Sequence, residues 1–253
     1  MQALARQVLN GVTGIPMATT VNKQRLLTHL LQAAKKAIEA EPEARPVLEQ
    51  FLYALCRENT TREQADAAYR NLQERFFDWN EVRVSSVREL EEALAGLPGA
   101  EARAQRIILF LQEVFETTFS FDLTGLEKKG LKQAAKQLGR YQAANDYSCA
   151  WVIQRSLGGH AIPLDAPTLR CARRLGLLEP GQEGTEAARA SLEHLVPKAK
   201  GPQFTDAISH VADTFCWEED PHCTACPLAS ECPTAQETTA ALTPVRAHRP
   251  KPR

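Results

Sequence analysis

Apolar residues recur at intervals of three and four along nearly the whole chain, with few β-branched alternations, so the pattern reads as one helix after another. Leu27, Leu30, Leu31, Ala34 and Ile38 line one face of the first clear helix, which Pro42 ends or closely follows. Residues 46–56 predict a second helix and residues 61–76 a third, opened by a capping box in which Gln64 stands three residues after Thr61. Ser86 and Glu89 repeat that box. The strongly apolar stretch 102–115 predicts the most buried helix of the middle region. Further helices are expected at 131–138 and 146–157, and others begin near Asp165, Thr185 and Thr205. The alternation at Val82 and Val84 is too short to count as a strand. Short connections predict an all-α bundle with antiparallel neighbours. From about Thr238 the apolar period fades into RAHRPKPR, which reads as a disordered tail or, in a sharper version, a phosphate-binding arm.

Four cysteines interrupt this helical pattern. Cys216, Cys223, Cys226 and Cys232 follow C-x6-C-x2-C-x5-C, punctuated by Pro221, Pro227 and Pro233. Thiolates suit soft metals, and four of them gathered by tight turns suit either tetrahedral zinc or an iron-sulfur cube. Zinc sites usually pair two close Cys-x2-4-Cys knuckles, so a six-residue first gap with a single Cys-x2-Cys favours a [4Fe-4S] cluster. Cys56, Cys149 and Cys171 lie in apolar, helix-like contexts and read as small core residues.

Composition narrows the classes. Apolar runs such as Ile107 to Leu111 are far short of a membrane span, and the N-terminus lacks a secretory pattern, which predicts a soluble protein with no membrane partner. Grouped cysteines fit a reducing compartment, hence a cytoplasmic location, nucleoid-associated in a bacterium. A net charge of −1 gives no overall attraction to phosphate, so nucleic-acid binding would need a local basic face. Arg170, Arg173 and Arg174 are one candidate; the plainer reading is a solvated helix side.

The cysteine spacing, the helical pattern and the segment HAIPLDAPTLRCARRLGL together resemble the endonuclease III family of helix-hairpin-helix DNA glycosylases, over roughly residues 48–233. The resemblance implies two helical lobes with double-stranded DNA in the cleft between them. Residues 41–158 would form a six-helix lobe carrying the helix-hairpin-helix, residues 1–40 with 159–236 the cluster lobe, and residues 237–253 the tail. Asp165 falls at the family's essential aspartate. Cleaving an N-glycosidic bond builds positive charge on the sugar, which a fixed carboxylate stabilises, or it activates a nucleophile. Followed by Ala166 and Pro167, the same residue is also a good helix N-cap.

Departures from the family pattern carry as much information. Tyr147 stands where bifunctional members have a Schiff-base lysine, and a phenol has no imine chemistry. Tyrosine there resembles mismatch thymine and adenine glycosylases, which use water and stop at the abasic site; the plainer role is a packed aromatic. The family hairpin Leu-Pro-Gly-x-Gly is replaced by Tyr141, Gln142, Ala143, Ala144 and Asn145. Asn145 tolerates a left-handed turn, whereas Ala143 at positive φ would cost roughly 1 kcal/mol or more, unless the hairpin takes another shape. Glu58, before Asn59 in CRENTT, replaces the glutamine that fills the gap left by a flipped base, and it accepts hydrogen bonds but cannot donate them. The loop Trp217 to His222, basic in the family, carries Glu218, Glu219 and Asp220. The sequence therefore implies a monomeric, endonuclease III-like DNA repair protein acting as a monofunctional DNA N-glycosylase without efficient lyase activity. The alternative is a catalytically inactive cluster-bearing nucleic-acid- or protein-binding module of the same fold.

Overall fold

The computed structural model describes residues 22–35, 44–179, 181–182 and 184–242. Among the described residues twelve α-helices follow one another: α1 (Lys23–Lys35), α2 (Val47–Arg57), α3 (Arg62–Arg75), α4 (Trp79–Val84), α5 (Val87–Ala93), α6 (Ala100–Thr118), α7 (Leu131–Leu138), α8 (Asp146–Arg155), α9 (Ala166–Arg174), α10 (Thr185–Leu195), α11 (Gly201–Thr214) and α12 (Pro233–Leu242). The all-α expectation is borne out, and no strand occurs among the described residues.

Side-chain caps fix several helix starts. The Thr61/Gln64 and Ser86/Glu89 boxes form as read, and Asn145 with Ser148 and Asp165 with Thr168 add two more. Asp78 caps α4, which is why residues around Val82 are helical: Val82 is buried and Val84 faces solvent. That short helix is missing from a six-helix count of the first lobe. The last helix before the cysteines starts at Gly201 and not near Thr205, because Pro202 suits a first turn in which its missing N–H is no loss. Ile38 and Pro42 lie outside the described residues, as does the chain beyond Leu242; α12 extends past Thr238, where the apolar period fades.

Side chains bury into two cores. The first draws on residues from Val47 to Val152, across α2 to α8; the second on α1 and on residues from Ile162 to Ala235. Helix α2 is buried more completely than α6. From Val47 to Arg57 only Glu49 is not buried, whereas α6 keeps a polar outer face. The reason is position: α2 packs against α3, α6 and α8 at once, and amphipathic α6 covers one side of it. The centre of this core is the stacked pair Phe51 and Phe110, with ring centroids 3.9 Å apart and Tyr141 edge-on to both. Phe110→Ala is expected to cost about 3–5 kcal/mol in chemical denaturation, the range for deleting a fully buried aromatic ring.

Candidate active site

The site forms where the C-terminus of α2 meets the N-terminus of α9. Arg57 ends α2, Glu58 leaves it, Asn59 takes a left-handed φ of 56°, and Thr61 caps α3. Asparagine is one of the few residues that adopts this conformation readily. The turn presents the Asn59 N–H to Asp165 Oδ2 at 2.9 Å, while Asn59 Oδ1 accepts from the Ala166 N–H at 3.0 Å. Asp165 Oδ1 accepts from the Thr168 N–H at 3.1 Å and from the Thr168 hydroxyl at 2.6 Å. Asp165 is thus an N-cap, 8% exposed, held by the Asn59 turn on one side and by Thr168 of its own helix on the other.

Three arginines absent from the sequence reading hold this turn. Arg57 is buried and donates to the Thr60 carbonyl and to Asp213 Oδ2 on α11, the latter at 3.2 Å. Burial opposes its charge, but the pKa is raised on balance, with the nearby carboxylates Asp213 and Asp165 acting against burial. Arg103, 8% exposed, donates to the carbonyls of Leu55, Cys56 and Glu58 around the end of α2, where the Thr60 hydroxyl also donates to Cys56. Arg106 pairs with Glu58 Oε2 at 2.9 Å and donates to the Ala143 carbonyl at 2.9 Å. The available sequence signal was faint: three arginines, two of them on a helix read as strongly apolar.

Glu58 is consequently no free anion. Its second oxygen accepts from Asn145 Nδ2 at 2.7 Å, so the turn and the hairpin are tied together. The hairpin takes another shape from the glycine-rich pattern. Asn145 is extended, with φ −141°, and among described non-glycine residues only Asn59, Phe119 and Asp220 have positive φ. Neither Ala143 nor Asn145 therefore replaces a glycine in kind. Ala143 is buried, Ala144 closes a turn onto the Tyr141 carbonyl, and the Gln142 N–H donates to the Glu113 carboxylate at 2.9 Å. Tyr147, 5% exposed, stacks on Trp151, and burial above all pushes its phenol well above the usual range.

The four cysteines line one cavity together with Cys171, Arg174 and Phe215. Tight turns place them: the Cys216 N–H reaches back to Val211, and Cys226 and Cys232 donate to Cys223 and Leu228. Arg174 approaches Cys216 Sγ at 3.7 Å and also donates to the Trp217 and Glu218 carbonyls, and Arg170 donates to the Cys216 carbonyl at 3.0 Å. These two arginines therefore brace the cysteine loop. Cys171 is buried as expected, but it also meets Cys216, lowering that thiol while its own is raised. Four half-buried or buried thiols around one cavity fit a sulfur-ligated cluster. Among the described residues, no three His, Cys, Asp or Glu side chains converge as they do around a single ion.

Solved structures share this fold. An endonuclease III–DNA complex aligns with a TM-score of 0.68 at 16% identity, covering 87% of this chain and 100% of the other. A thermostable thymine-DNA glycosylase aligns at 0.61 with 16% identity, covering 85% and 97%. The chain thus has the fold of endonuclease III and related helix-hairpin-helix DNA glycosylases. DEMETER-like protein 3 of Arabidopsis thaliana is 28% identical over 171 residues, 61% of this chain, which spans 16% of that relative's length. No protein-family model matches the chain. No described helix is long and apolar enough to cross a membrane.

Two measurements probe the site without substrate. Asn59→Gly keeps the left-handed turn and loses the Ala166 contact, whereas Asn59→Ala also adds backbone strain; in denaturation the alanine variant should be less stable by about a further 1 kcal/mol. Asp213 is the second probe. Burial raises its pKa to about 6, with Arg57 opposing and Asp165 and Glu63 adding to the rise. A raised folded-state pKa means the native state holds the extra proton, so this contribution is full only below the ordinary value of 3.8 and is lost as pH rises through 6. Relative to Asp213→Asn, the wild type should therefore lose about 2 kcal/mol between pH 4 and 7.

Proposed function

We propose that this protein is a monofunctional DNA N-glycosylase, removing a damaged or mismatched base from double-stranded DNA and leaving the abasic site uncut. The observation that carries this reading is the Asp165 carboxylate, fixed at the α9 N-terminus by the Asn59 N–H and Thr168, with a buried tyrosine and no lysine at position 147. A carboxylate held this way can stabilise positive charge developing on the sugar and orient a water toward it. Neutral, buried Tyr147 cannot form an imine, so strand cleavage by β-elimination has no nucleophile at that position. Residues 41–158 and residues 1–40 with 159–236 are assigned to the two sides of the DNA cleft. Glu58, Asn59 and the segment Gln142, Ala143, Ala144 and Asn145 face the duplex. DNA complexes among the proteins of the same fold support that partner.

Cys216, Cys223, Cys226 and Cys232 are the residues that would hold a [4Fe-4S] cluster. When bound, it supplies a rigid cross-link for the 216–232 loop. Zinc sites usually pair two close Cys-x2-4-Cys knuckles, so the six-residue first gap with a single Cys-x2-Cys supports the larger centre.

A second reading is favoured by a specific contact: the hairpin N–H that would meet a phosphate, that of Gln142, is occupied by Glu113. On that reading the protein binds nucleic acid or another protein without chemistry.

Duplexes carrying uracil, thymine or adenine mismatches, and oxidised or alkylated bases, separate the two when each reaction is followed by alkali. Product that requires alkali, and falls at least about a hundredfold in Asp165→Asn, is expected. Product without alkali would overturn the tyrosine assignment, and no product on any duplex at low salt would favour the second reading. For the metal centre, anaerobically purified protein should carry iron and inorganic sulfide with a broad visible band, all lost in Cys223→Ser; zinc without iron would refute the cluster.

A further inference from the structure

The Asn59 turn is what aims a backbone N–H at Asp165, and a left-handed turn at the end of a helix does not hold itself. Its shape is fixed from the opposite side. Arg57 donates to the Thr60 carbonyl, and its other amino group reaches Asp213 Oδ2 at 3.2 Å; the two side chains are 5% and 17% exposed. Asp213 belongs to α11, in the second core, as does Asp165, so the turn is gripped twice from the same body, at Asn59 and at Arg57. Nothing in the proposed chemistry itself calls on this pair.

We propose that Arg57, anchored by Asp213, is the positioning residue for Asp165, acting through the 57–60 turn and the Asn59 N–H. This deepens the glycosylase reading and rests on Asp165 being its reaction-centre carboxylate. Neither Arg57 nor Asp213 touches the reacting atoms. With the pair intact, Asn59 N–H stays on Asp165 Oδ2 and the carboxylate keeps one orientation. With it broken, a buried guanidinium loses its charged partner and the turn loses its anchor on α11. Asp213 is faced by Arg57 from α2, Glu63 from α3 and Asp165 from the start of α9, while Tyr147 on α8 and Tyr53 on α2 face the guanidinium. Its pKa, raised to about 6 chiefly by burial, lies in a range where enzyme assays are practical, so the anchor is engaged above that pH and released below it.

The experiment uses the full chain with its metal centre loaded, in wild type, Asp213→Asn, Asp213→Glu, Arg57→Lys and Arg57→Gln. Amide hydrogen exchange by NMR reads the Asn59 N–H without any substrate. Protection of that amide is expected to fall by about tenfold or more in Asp213→Asn and Arg57→Gln, while amides in the middle of α2 keep theirs. On a duplex that the wild type processes, Asp213→Asn should lower kcat by roughly tenfold or more with KM for DNA little changed, the signature of a lost transition-state interaction. The rise of kcat through pH 6 should disappear with it, and Asp213→Glu should restore part of both. Arg57→Lys keeps the charge but cannot hold both Thr60 and Asp213, and should behave as Arg57→Gln does. Wild-type protection at Asn59 in Asp213→Asn, or wild-type kcat with the pH limb intact, would overturn the proposal. Should the wild type process no duplex, the glycosylase reading falls, and the exchange data alone decide whether Arg57 sets the turn.

Discussion

Everything at the candidate site depends on how the last turn of α2 finds donors for its carbonyl groups. A helix end leaves its final carbonyls unpaired, and at this one they are buried inside the first core, away from water. Arg103 reaches two of them, Leu55 and Cys56, and the Glu58 carbonyl just beyond, from α6, and Arg57 closes the turn through Thr60. Guanidinium groups suit the task because their rigid fork donates in several directions at once, and because cations favour the negative end of a helix dipole. Once those arginines are fixed, Glu58 and Asn59 have little freedom left, and the site takes its form.

On the other side of that junction, α9 is short and stiff and carries different chemistry at each end. Asp165 caps its start; Arg170, Cys171 and Arg174 toward its end brace the cysteine loop. Nine residues of helix therefore join the candidate reaction centre to the candidate metal centre. A sulfur-ligated cross-link in the 216–232 loop would hold α9 against α11, and through it the carboxylate. The cap role and the proposed chemical role of Asp165 do not compete. The bonds from Thr168 and Asn59 that stop the helix from fraying are also what orient the carboxylate.

The hairpin tells a different story about charge. Its glycine-free sequence folds by keeping backbone torsions in ordinary regions and by borrowing partners from its own chain: Glu113 for the Gln142 N–H, Arg106 for the Ala143 carbonyl, Glu58 for the Asn145 amide. A glycine-rich hairpin leaves its N–H groups open for a phosphate; this one closes an N–H with a carboxylate. The acidic stretch Glu218 to Asp220 is likewise fully exposed beside the cysteines. Attraction to a duplex would thus rest on few phosphate contacts, and would depend only weakly on salt.

Local rules in the sequence determined a good deal of this. Helical periodicity, the capping boxes at Thr61 and Ser86, and the grouping of Cys216, Cys223, Cys226 and Cys232 are encoded by residues within a few positions of one another, so they can be read one segment at a time. Asp165 as a cap was legible for the same reason. The helix at Val82 was lost because its signal is one capping aspartate and one buried valine, too few residues for a period to show. What the tertiary structure alone decided is which charged groups meet across the chain. Arg57 and Asp213 lie 156 positions apart, Glu58 and Asn145 lie 87 apart, and Asn59 and Asp165 lie 106 apart. Nothing local marks those partners, because a hydrogen bond between distant residues is fixed by the packing of the helices that carry them.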